Sequence, residues 1–70
     1  MYIFKCEKYY ELLDGRSIEW LSQETEYNRV TLSNILNGKI HCKKIIAYAI
    51  VKTFDINNNL EDFFYKEKGE

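Results

Sequence analysis

The sequence predicts an all-α, compact domain of five short helices, and three observations carry that expectation. The 70 residues contain no Pro and three Gly, at positions 15, 38 and 69, so little interrupts helix formation. Apolar residues recur at three- and four-residue spacing rather than in alternation. The stretch from Leu21 to Gly38 reads as two short helices joined by a tight turn.

Each helix has its own signal. The first is placed at about Ile3 to Leu13, with inward residues drawn from Phe4, Tyr9, Leu12 and Leu13 and with Gly15 closing it. The leading Tyr2-Ile3-Phe4 is alternatively a short extended arm. In the second helix Ile18, Leu21 and Thr25 fall at i, i+3 and i+7, and Ser17 is placed to cap the free N–H groups. Asn28 caps a third helix to Leu36, whose apolar stripe is Leu32, Ile35 and Leu36 and which Gly38 ends at the C′ position. After the loop Lys39-Ile40-His41-Cys42 the fourth helix, Lys43 to Phe54, repeats Ile46, Ile50 and Phe54, with Ile45, Ala47, Ala49 and Val51 widening its buried face. Asp55-Ile56-Asn57-Asn58 is a turn, and Asn59 caps a last helix containing Leu60, Phe63 and Phe64.

Composition limits the function. An apolar fraction of 46% with 16% aromatic residues supports one small globular domain over residues 1 to 70, with little room for both a core and a substrate cleft. No run of 18 apolar residues and no signal-peptide pattern is present, so the expectation is a cytoplasmic protein without a membrane partner. Cys6 and Cys42 belong to no CxxC pair, and with His41 they lack metal-ligand spacing, so free thiols and no metal or cofactor are expected. His41 also has no matching nucleophile or carboxylate arrangement, so an enzyme is not expected. The six tyrosines are scattered and read as half-buried packing residues rather than a stacking platform.

The near-neutral total of −1 hides a segregated charge pattern. Residues 1 to 26 set Lys5, Lys8 and Arg16 against Glu7, Glu11, Asp14, Glu19, Glu24 and Glu26, a net of −3. Residues 27 to 54 hold Arg29, Lys39, Lys43, Lys44 and Lys52 and no acid, a net of +5. Residues 55 to 70 return to −3, with Asp55, Glu61, Asp62, Glu67 and Glu70 against Lys66 and Lys68. A basic block that coincides with the third helix and its following loop is the kind of local field that phosphate contact requires.

Leu21-Ser22, Thr25, Thr31-Leu32-Ser33, Ile35 and Asn37-Gly38 resemble the helix-turn-helix of the phage repressor and Cro family, the XRE-type DNA-binding domains. Asn59-Leu60-Glu61-Asp62-Phe63-Phe64 resembles the capped fifth helix that closes many of them, so the likeness covers about residues 4 to 65. Three positions depart from the pattern. Glu26 stands where Gly is usual, at a cost on the order of 1 kcal/mol if the backbone is left-handed. Ile18 stands where many members have Gln, and Ser22 where a small Ala is common.

The resemblance implies a lambda-repressor-like domain with its third helix in the major groove of a double-stranded DNA operator. Arg29, Val30, Ser33 and Asn34 would read bases: Arg29 either guanine O6 and N7 or a phosphate, Asn34 the adenine edge, Val30 a thymine methyl. Ser17, Asn37, Gly38 through its backbone, Lys39 and Lys43 or Lys44 would lie along the phosphates. A homodimer on two half-sites about 34 Å apart is expected, joined through the exposed part of the Phe63-Phe64-Tyr65 end or of the fourth helix. The alternative is a modulator or antirepressor that binds another repressor protein instead of DNA, which the acidic flanks favour.

Overall fold

The computed structural model describes residues 1–67. Lys68 and Glu70, counted in the charge of the last segment, lie outside the described residues with Gly69.

The chain opens as a strand, β1 (Tyr2–Phe4), and passes through a 3-10 turn at Cys6–Lys8 into the five-residue helix α1 (Tyr9–Leu13). Helices α2 (Ile18–Thr25), α3 (Arg29–Leu36), α4 (Lys44–Phe54) and α5 (Leu60–Phe63) follow, and the strand β2 (Phe64–Lys66) ends the order. The fold is thus mostly helical with a two-stranded sheet, which corrects the all-α expectation. Antiparallel pairing sets Tyr2 opposite Lys66, Ile3 opposite Tyr65 and Phe4 opposite Phe64. Tyr, Ile and Phe are strand formers, and the extended arm wins over helix because β2 supplies a ladder that no neighbouring residue offers. Phe64 leaves the last helix for the same reason, with φ −130° and ψ 145°.

Local capping sets the helix bounds. Ser17 Oγ accepts from the Trp20 N–H at 3.0 Å, and Asn28 Oδ1 accepts from Val30 N–H at 2.8 Å and Thr31 N–H at 3.3 Å. Asn59 Oδ1 accepts from Glu61 N–H at 3.4 Å. Helix α3 closes with two bonds, Gly38 N–H to the Ile35 carbonyl at 3.0 Å and Lys39 N–H to the Asn34 carbonyl at 2.9 Å. That pairing requires a left-handed residue at position 38, which Gly38 supplies at φ +74°.

The core is built where α2 packs on α3 and α4. Leu21, Leu32, Ile35, Leu36, Ile50, Val51 and Phe64 are fully buried, each contributing about 1.5–3 kcal/mol of transfer free energy. Phe4 and Phe64 meet edge to face at 5.2 Å across the sheet, so the two ends of the chain close over the helices. Three expectations about exposure are corrected or narrowed. Ile45, assigned to the buried face of α4, is 71% exposed because that face centres on Ala47, Ile50 and Val51. The exposed part of the Phe63-Phe64-Tyr65 end narrows to Tyr65, because Phe63 and Phe64 are buried. Cys6, placed in the first helix, lies on the 3-10 turn and is exposed. No helix among the described residues is long and apolar enough to cross a membrane.

Candidate nucleic-acid interface

Helices α2 and α3 are joined by three residues, Glu26, Tyr27 and Asn28, and side chains of α2 hold that turn. Ser22 Oγ donates to the Tyr27 carbonyl at 2.6 Å, while Thr25 Oγ1 donates to the Leu21 carbonyl at 2.8 Å and accepts from Tyr27 N–H at 3.3 Å. Glu26 turns the chain with φ +64°, the left-handed conformation that glycine tolerates best. Asn28 then starts α3 by capping it. The Ser and Thr residues of this stretch therefore set the angle at which α3 leaves α2.

One face of α3 is open. Arg29, Val30, Ser33 and Asn34 line a shallow hollow together with Ile18 at the start of α2. Val30 is 63% exposed, an apolar group presented to solvent in the middle of polar neighbours. Among the described residues the Asn34 side-chain amide makes no hydrogen bond within the chain, so its donor and acceptor are both available. Ser33 differs: Asn37 Nδ2 donates to its carbonyl at 2.8 Å and to its Oγ at 3.2 Å. Asn37 thus spends its amide on the end of α3, and Ser33 keeps its hydroxyl hydrogen for an outside acceptor.

The Arg29 guanidinium lies 3.9 Å from Glu19 Oε2 on α2, with both side chains about two-thirds exposed. Sequence reasoning missed this partner, because the contact crosses between helices and leaves no spacing signal. Such an exposed pair adds little stability, but it restrains where the guanidinium points. A second omission is Arg16, stacked over the Trp20 ring at 4.6 Å just before Ser17. Trp20 in turn packs on Phe54 at 5.3 Å, so Arg16 sits on a fixed platform beside the N-terminus of α2.

The basic loop is pinned from behind. Tyr2 and Cys42 exchange backbone bonds, Tyr2 N–H to the Cys42 carbonyl at 2.7 Å and Cys42 N–H to the Tyr2 carbonyl at 2.9 Å. His41 Nδ1 pairs with Glu67. Lys39, Lys43 and Lys44 stay exposed on this anchored segment, with Lys43 as the extended N-cap residue of α4. Gly38 has a packing reason of its own, since a Cβ there would meet Cys6 Sγ at 2.8 Å. Burial pushes the Cys42 thiol up to about 11 from 9.0, so it is protonated at neutral pH. Among the described residues no three His, Cys, Asp or Glu side chains gather as metal ligands.

Every residue named from the sequence as a base reader thus falls on one open face. Of those named for phosphate, Lys39, Lys43 and Lys44 belong to one anchored segment, the Gly38 N–H is spent on the Ile35 carbonyl, Asn37 is engaged within α3, and Ser17 caps α2 with its hydroxyl oxygen. Comparisons with protein-family models, curated proteins and solved structures give no match for this chain.

Proposed function

We propose that this chain is a sequence-specific double-stranded DNA-binding regulator of the repressor and Cro type, with α3 inserted in the major groove and a second copy on the adjoining half-site. The observation that carries the reading is the α2–turn–α3 unit, in which one exposed face collects Arg29, Val30, Ser33 and Asn34 and an acid-free basic segment follows directly. Arg29, steadied by Glu19, reads a guanine edge. Asn34, with its amide uncommitted, reads adenine. Val30 meets a thymine methyl, and Ser33 donates to a base or phosphate oxygen.

Lys39 and Lys43 contact phosphates and set register rather than sequence, joined by the N-terminus of α2 at Ser17. The regulator acts by occupying its operator and excluding polymerase or a competing repressor. A lambda-repressor-like fold accommodates this use, and no cofactor, metal or catalytic step enters it.

The runner-up, a modulator that covers another repressor protein, draws support from the exposed Val30 and from Glu19 on the same face. A salt titration separates the two. Affinity for duplex DNA is expected to fall steeply with salt, and Lys39→Ala and Lys43→Ala each reduce the slope of log K against log salt by about 1, uniformly across sequences. A folded protein that binds no duplex at low salt overturns the DNA reading in favour of the modulator.

A further inference from the structure

Helix α4 carries two apolar faces. Ala47, Ile50 and Val51 fill the core, but Ile45 is 71% and Tyr48 51% exposed on the outer side, and Ile56 in the turn beyond is 78% exposed. Positions 45, 48 and 52 follow i, i+3, i+7, so they share one face. Lys52 joins the parts: its Nζ lies 5.2 Å from the Tyr48 ring centroid and donates to the carbonyls of Ile56 at 2.9 Å and Asn58 at 2.6 Å. Asp55 Oδ1 accepts from Asn57 N–H at 2.9 Å. These bonds hold Ile56 outward before anything docks on it, so little ordering entropy is lost on contact.

The charges at the two ends of this stripe are opposite. Lys43 and Lys44 stand at its N-terminal end and Asp55 at its C-terminal end, and among the described residues neither Lys44 nor Asp55 has an ion-pair partner. Laid parallel, two such stripes would oppose like charges. Laid antiparallel, they match.

We propose that the outer face of α4 is a two-fold interface between two copies of this chain, with α4 antiparallel to its counterpart. Ile45 packs beside Ile56 of the second copy, Tyr48 and Lys52 lie near the axis, and Lys44 faces Asp55 of the second copy, every contact being made twice. A stripe of a few hundred Å² of apolar surface per copy sits at the weak end of specific interfaces, so association is reversible. Lys39 and Lys43 remain for phosphate. This contact supplies the dimer that an operator reader needs, yet nothing in it depends on DNA.

Sedimentation equilibrium of the free protein from micromolar to millimolar concentration tests it, with far-UV circular dichroism confirming that each exposed-site variant is folded. The wild-type chain is expected to dimerise, and Ile45→Glu and Ile56→Glu each to weaken dimerisation at least tenfold. Lys44→Glu and Asp55→Lys, each alone, weaken it as well, whereas their equimolar mixture associates again because both end contacts are then between opposite charges. A wild-type chain that stays monomeric overturns the proposal and leaves the stripe to a different protein. A dimer unmoved by Ile45→Glu, or a mixture that fails to recover association, overturns the antiparallel α4 contact. A dimer that binds no duplex refutes the DNA reading and leaves this interface standing.

Discussion

Glu26 holds φ +64° with a side chain that the conformation disfavours, and Gly38 holds φ +74° without one. Substitution therefore has opposite signs at the two, since glycine at 26 relieves strain and a side chain at 38 would create it. Glu26→Gly is expected to raise unfolding stability by up to about 1 kcal/mol in urea titration, the left-handed penalty partly offset by the entropy of glycine in the unfolded chain. The buried Cys42 predicts a pH effect. Its thiol titrates near 9 when unfolded and at about 11 when folded, so the unfolded chain loses its proton first. Stability is therefore full below pH 9 and falls by about 2–3 kcal/mol as pH rises through 11, and Cys42→Ala removes that component when urea unfolding is followed across this range. At this scale the sequence was most legible where a residue acts on its neighbours. Ser17, Asn28 and Asn59 were recognisable as caps because the groups they satisfy lie two or three positions away. Glu19 beside Arg29 was not, because the pair is made by the packing of one helix on another.

The helices themselves follow from capping and periodicity, and they are held mainly by the packing of their buried faces, with the caps adding to it. Asn28→Ala removes the acceptor for two N–H groups of α3 and is expected to cost about 0.5–2 kcal/mol, read from urea unfolding and from the loss of helical circular dichroism. The extended alternative for Tyr2-Ile3-Phe4 was legible, but its strand pairing was not, for a physical reason. Tyr2-Ile3-Phe4 has no local partner, and its pairing with Phe64–Lys66 exists only once the helices have brought the chain ends together. The exposure of Ile45 was not legible for a different reason: an apolar residue at helical spacing reads as core, and only the placement of Ala47, Ile50 and Val51 decides which of two apolar faces of α4 turns inward.

Across the whole molecule, the charge segregation visible in the sequence is only partly kept in space, since Glu19 meets Arg29 and Glu67 meets His41. The acid-free stretch from residue 27 to 54 begins at the open face of α3, continues through a loop that β1 anchors at Cys42, and ends on α4. An overall charge of −1 limits indiscriminate attraction to DNA, so discrimination on the proposed reading rests with a few side chains on α3. The most direct measurement is selection from a randomised duplex pool at two salt concentrations, run beside the folded Arg29→Ala/Asn34→Ala double variant. The account predicts that the wild-type protein enriches a two-fold-symmetric site which the variant no longer selects, with a loss of about 1–3 kcal/mol of discrimination for each bidentate contact removed. Failure of the folded wild-type protein to enrich any sequence at low salt, or an unchanged site selected by the double variant, would contradict it.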